Sequence, residues 1–209
     1  MLFRGEVMRL KSVMAAVAMG LCSLAGSAQM SMGGSAAPAG KMVEPSKALD
    51  DLLMTLEHDV MGVVKTMPAD KYNFAPSHAT FAAGQGEKFD GVRTFAEQVS
   101  HLAQANYFFA MGVSGQKPDR DVAAIAKLTT KDELVKALAD SFAFAHKANA
   151  TVTVGNAFLT IKGEDGLNTR VTLAAFIATH GYDHYGQMVE YLRMNGHVPP
   201  SSAPEPPKK

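Results

Sequence analysis

Two histidines one helical turn apart, His180 and His184, are the residues of this chain whose type and spacing most directly suggest chemistry. They sit in TLAAFIATHGYDHYGQMVEYLRMN, Thr172 to Asn195. At about 100° per residue, Leu173, Phe176, Ile177, His180, His184, Gln187, Met188, Tyr191 and Leu192 share one face, the stripe of a core-facing helix. An i, i+4 pair on such a face aims two imidazole nitrogens at one spot, the spacing by which a helix offers a metal ion two ligands. An unpartnered polar group in an apolar interior costs about 1–3 kcal/mol, so two imidazoles in tandem ask for a shared partner. The alternative is that each ring separately hydrogen-bonds a neighbouring side chain or carbonyl. A third ligand decides between them.

The other histidines are less constrained. His58 lies opposite the apolar stripe of its helix and reads as solvated, His78 falls in a loop, His146 is off its stripe, and His197 belongs to the exit from the last helix. His101 flanks the apolar side of an earlier helix, in line with Gln98, Ala105 and Phe108, and the small Ala105 leaves room beside its ring. By position alone it is a boundary residue. The motif His-x-x-x-His lacks the metalloprotease glutamate, since Gly181, Tyr182 and Asp183 separate the pair. There is no Glu-x-x-His pair of the di-iron kind and no Cys-x-x-Cys-His for haem.

The first 28 residues differ in kind from the rest. Arg4, Arg9 and Lys11 lead into the apolar run SVMAAVAMGLCSLAG and small residues ending at Ala28, the pattern of a cleavable signal peptide; translation starting at Met8 would leave a compact MRLK start. The run is too short for a spanning helix, which needs about 20 residues. Cleavage near Ala28 would make the protein periplasmic or secreted, with no membrane span. The single cysteine, Cys22, would leave with the leader, so thiolate ligands, disulfides and a cysteine nucleophile are excluded from the mature chain. Any metal site must use nitrogen and oxygen. With 20 basic and 20 acidic residues and no basic cluster, nucleic acid and anionic lipid are not expected partners.

Four amphipathic segments must position the histidines. Residues 29–45 are small, aperiodic and Met-rich, a flexible linker. Ser46 is the expected N-cap of a helix with Leu49, Leu52, Leu53, Leu56, Val60, Val63, Val64 and Met67 inward. Residues 68–93 carry two prolines, three glycines and no periodicity, a connection long enough to be functional. Thr94 and Glu97 form a capping box for a second helix reaching Val113, and Thr130 and Glu133 for a third reaching Val152. Residues 155–171 read as a loop or as two short strands. The fourth helix starts at Thr172, and residues 198–209 form a Pro-rich, disordered tail. The whole predicts an all-α four-helix bundle over residues 46–197.

The run TLAAFIATHGYDHYGQMVEYLRMNGHVPP, with PADKYNFAPS and TFAEQVSHLAQANYFF before it, resembles the DinB-like family of small four-helix proteins over roughly residues 46–200. The resemblance implies a three-histidine metal site made here by His101, His180 and His184, suited to zinc or nickel with a fourth position open. With zinc, a bound water would have a pKa near 7. Gln187, one turn past His184, is the expected hydrogen-bonding neighbour; Asp183 points more sideways and is a weaker candidate. The family includes thiol-dependent transferases and isomerases, and homodimers. An exported member would meet few reduced small thiols, so the resemblance speaks to fold and metal more than to reaction.

Three readings follow. The first is a metal-dependent hydrolase or transferase acting on a small molecule, with no general base evident on the histidine stripe. The second is a non-catalytic, stress-related envelope protein in which the ion ties two helices together, the site being sealed by Phe108, Phe109 and Tyr185. The third is a plain bundle without metal, in which His101 points away from the other two.

Overall fold

The computed structural model describes residues 39–81, 84, 86, 88–163 and 166–204. The expected leader at 1–28, the first part of the linker and the last five residues lie outside the described residues. Four helices form as expected: α1 (Pro45–Thr66), α2 (Phe95–Ser114), α3 (Lys131–Asn149) and α4 (Arg170–Met194). No strand occurs among the described residues; the ambiguous stretch before α4 is a loop with one antiparallel bridge, Thr160 to Thr169. None of the described helices is long and apolar enough to cross a membrane.

Helix ends follow local chemistry. The Thr94–Glu97 and Thr130–Glu133 capping boxes both close as expected. α2 continues through Gly112 and stops at Gly115, whose φ of 74° is the left-handed conformation that ends a helix cheaply only at glycine. Two starts differ from expectation. Pro45 occupies the first turn of α1 and Glu44 is its N-cap, since the missing proline N–H is one that a helix start leaves unpaired anyway; Ser46 is already inside. α4 begins two residues early, because Thr169 accepts from the Thr172 N–H while the Thr172 hydroxyl accepts from the Thr169 N–H. A threonine there does the work of the usual glutamate.

The four helices are arranged so that α1 and α4 run one way and α2 and α3 the other. Lys131, opening α3, donates to Lys65 O and Met67 O at 2.7 Å each, which satisfies carbonyls at the end of α1. Tyr72 donates to Val64 O at 2.7 Å and packs edge-on against Phe95 at 5.1 Å, so α2 starts at the same end. At the opposite end Arg170, opening α4, donates to Val113 O at 2.7 Å in the last turn of α2. Because α2 and α3 are parallel, residues 115–130 must run back along α2: Gln104 Nε2 donates to Val122 O at 3.2 Å, Arg120 lies 5.8 Å over the Tyr107 ring, and Ile125 is fully buried.

Packing fills the interior with Leu53, Leu56, Phe95, Leu102, Leu138, Phe142, Ile177, Met188 and Leu192. Of the inward set expected on α1, Leu52 alone is exposed, at 40%, because it lies at the edge of the stripe. The C-terminal segment is not a free tail as far as Ala203: Pro199 is buried, Tyr185 Oη lies 2.7 Å from Ser201 Oγ, and Pro200 packs on Gly62 of α1. α1 and α4 meet at Gly181, where an added Cβ would stand 2.2 Å from Leu56 Cδ2. At the other end of α3, the off-stripe His146 is no solvated residue: Nδ1 lies 2.5 Å from Asp50 Oδ1 and Nε2 3.0 Å from Glu57 Oε2, both on α1.

Two outcomes are expected. Gly181→Ala should lower the urea midpoint, costing about 1–3 kcal/mol by overpacking, whereas Gly186→Ala, with nothing within 4 Å of its added carbon, should be neutral or stabilising. The hydrogen bonds to Glu57 and Asp50, against the opposing effect of burial, raise the His146 pKa from 6.5 to about 9. A raised folded pKa gives stability that is full below about pH 6.5 and is lost as pH climbs through 9. His146→Gln should therefore cost roughly 1 kcal/mol at pH 6, discounted for partial exposure, and markedly less at pH 9.5 in denaturant titrations.

Candidate metal centre

His101 lies in the second turn of α2 and His180 and His184 on either side of the middle of α4, so the antiparallel α2–α4 contact decides whether they meet. They do. One ring nitrogen from each of the three lies within 4.8 Å of the others. Ring centroids are 5.3 Å apart for His101–His180, 4.7 Å for His101–His184 and 4.6 Å for His180–His184. The third reading required His101 to point away, and it points in. His184 is buried, whereas His180 and His101 are half-buried, so the α4 pair straddles the edge of the apolar stripe rather than its middle.

The residue that orients this cluster is one the spacing did not single out. His184 Nδ1 lies 2.6 Å from Gln98 Oε1, and Gln98 Nε2 donates to Gln187 Oε1 at 2.8 Å. The second bond fixes which end of the Gln98 amide faces His184: a carbonyl oxygen can only accept, so Nδ1 carries the hydrogen and Nε2 keeps its lone pair. Gln187 in turn donates to Asp183 Oδ2 at 3.3 Å. Gln187 thus acts one residue further from the cluster than expected, through Gln98, and Asp183 one further still. The sequence signal for Gln98 was its place one turn before His101 on the inner side of α2; it is 2% exposed.

The donor set fits a divalent ion. His184 Nε2 and His180 Nε2 are 3.2 Å apart. Two nitrogens on one tetrahedral zinc, each bonded at about 2.0–2.1 Å, stand about 3.3 Å apart. Without an ion, His180 must hold its hydrogen on Nε2 and donate it to His184; with one, both lone pairs can face the cation and the hydrogen moves to Nδ1. That Nδ1 is buried without a partner beneath Phe109, whose ring centroid is 5.3 Å from that of His180. Burial holds all three histidines below the ordinary pKa, His184 furthest, at about 4; neighbouring imidazoles add to the effect at His180 and His184, and the Arg93 charge adds to it at all three. Neutral imidazole is the form that binds metal.

The site is not sealed as the structural reading anticipated. Phe109 covers His180, but Phe108 is 67% exposed and Tyr185 is turned to Ser201. His101 instead forms a wall of a cleft of about 440 Å³ shared with Gly91, Arg93, Glu97, Ser100 and Gln104. The long connection before α2 supplies its rim. That connection is held in place by Ala96 and Phe95 N–H groups donating to Tyr72 O and Phe74 O at 2.8 Å, and by Tyr191 donating to Arg93 O at 3.1 Å. A larger hollow between α2 and α3, near Arg120 and Asp140, does not reach the histidines.

The lowered histidine pKa values set an acid limit. A depressed folded pKa means the unfolded chain takes up the proton first, so stability should fall as pH drops from about 6.5 toward 4. Chelator-treated protein should lose at most about 1.4 kcal/mol per pH unit for each such group over that window, and His184→Phe should flatten the decline in denaturant titrations at pH 7, 6 and 5.

A search of curated proteins returns no match. The family model of the DinB superfamily matches residues 52–188, a span that reaches into all four helices and contains the three histidines together with Gln98 and Gln187. The chain belongs to the DinB superfamily.

Proposed function

We propose that His101, His180 and His184 bind one divalent metal ion, zinc or nickel, and that the protein is a metal-dependent hydrolase or transferase of a small molecule. The observation that carries this reading is the convergence of three neutral imidazoles, one tautomer fixed by Gln98, beside a cleft open at His101. Three protein ligands with one open position are the pattern of catalytic rather than structural sites. Bound there, the ion would supply Lewis acidity to a substrate oxygen or to water.

The chain's own residues do the rest. Gln98 holds the His184 ring and its hydrogen in place, and Gln187 holds Gln98. Phe109 keeps water from the far side of His180, leaving approach from the His101 side. The carboxylates nearby are engaged: Asp183 accepts from Gln187, and Glu97 Oε2 accepts from the Thr94 N–H and hydroxyl at 2.7 and 3.0 Å. This favours chemistry that draws its base from the substrate or solvent over a dedicated carboxylate. The leader pattern of residues 1–28 supports export and cleavage near Ala28.

The test is elemental analysis of untagged protein expressed from the full-length gene, alongside His180→Ala and Gln98→Leu. We expect about one zinc or nickel per chain in the wild type, none retained in His180→Ala, and a 10–100-fold loss of affinity in Gln98→Leu. The intact mass of the same preparation should begin at Gln29. A wild-type protein that stays empty after metal is supplied rules out the metal reading, and an intact leader in envelope fractions rules out cleavage.

A further inference from the structure

The cleft beside His101 contains one strongly charged group that the bundle does not use. Arg93 has no hydrogen-bond or ion-pair partner for its guanidinium among the described residues, although its backbone is fixed by the bond from Tyr191 to its carbonyl. The other polar side chains of the cleft are engaged. Ser100 donates to Glu97 O at 3.2 Å, Gln104 donates to Val122 O at 3.2 Å, and Glu97 is bound in the capping box. Arg93 thus presents an unused planar fork of N–H donors, on a fixed backbone, to the space that the flank of His101 lines. Its charge reaches the cluster, since it helps push His101, His180 and His184 toward the neutral form.

We propose that this cleft is a binding site for a small molecule bearing an oxyanion, a carboxylate or phosphate, which Arg93 grips while the rest of the molecule lies against His101. The juxtaposition of an unpaired arginine and the open side of the histidine cluster, across one cleft of about 440 Å³, carries the assignment. The volume suits a small metabolite rather than a polymer. The proposal rests on the metal reading only for what happens at the histidine end; the grip on the anion stands without it. Gly91, at a φ of 78°, makes the turn that brings Arg93 to the rim.

The test is an NMR titration of the mature chain with succinate and, separately, with inorganic phosphate, using wild type, Arg93→Gln and Arg93→Lys, each with and without supplied zinc. At least one probe should shift the amide resonances of residues 91–104. Arg93→Gln should weaken its binding about tenfold or more, the loss of a charge-assisted pair, Arg93→Lys should recover part of that, and metal content should be the same in all three. Response to succinate alone identifies a carboxylate site, and response to phosphate alone a phosphate site. Failure of both probes at tens of millimolar, or equal binding by wild type and Arg93→Gln, overturns the proposal. If Arg93-dependent binding persists in a protein that takes up no zinc, the anion site stands and the metal reading falls; zinc uptake without anion binding is the reverse.

Discussion

The hydrogen bond between His184 and Gln98 is the interaction on which the site depends. It crosses the α2–α4 interface in a nearly dry environment, where an unmet polar group is costly, and it fixes a tautomer as well as a distance. Once Nδ1 carries the hydrogen, Nε2 has only a lone pair to offer, and it offers it toward His180 and His101. Gln187 makes this one-way, because its carbonyl takes the Gln98 N–H and so forbids the amide to flip. A relay of neutral amides ending on Asp183 is a softer support for a metal-binding imidazole than a directly bonded carboxylate would be, since the charge is held two residues away.

The register of that interface is set elsewhere. α4 is fixed along its length by Gly181 against Leu56 of α1 and by the contact of Leu173 with Gly112 of α2, two places where the absence of a side chain lets a leucine of one helix lie against the glycine of the other. Its ends are tied by Arg170 to the last turn of α2 and by Tyr191 to the rim of the cleft. The parallel run of α2 and α3 has a consequence for the site as well. The segment that must travel back along α2 is held to Gln104 through Val122 and brings Ala126 into the lining of the cleft, so the same connection that completes the topology also borders the space beside His101.

Histidine is used here in opposite ways. His146 sits between two carboxylates, is held protonated, and pins α3 to α1. The three clustered histidines face apolar surface and one another, and are held neutral. Partial burial acts on all four; what differs is whether an acid stands within hydrogen-bond distance. A bundle with both kinds separates a structural ion pair from a neutral imidazole cluster within one core.

The sequence by itself determined the four helices, since apolar periodicity and capping boxes are local properties, and it determined that His180 and His184 share a face, because 3.6 residues per turn leave no other arrangement. It also excluded thiolate chemistry from the folded domain. It placed His101 only at a helix boundary, and its part in the site came from family resemblance, because whether residues on two helices meet depends on their axial register, which no single-helix pattern contains. Gln98 was unreadable for the same reason: a buried glutamine becomes an orienting group only when its partners, 86 and 89 residues away, are brought beside it. The pairing of His146 and the docking of Pro199 to Ser202 were likewise decided by tertiary structure. Each depends on a partner or a packing surface that exists only after the chain has closed on itself.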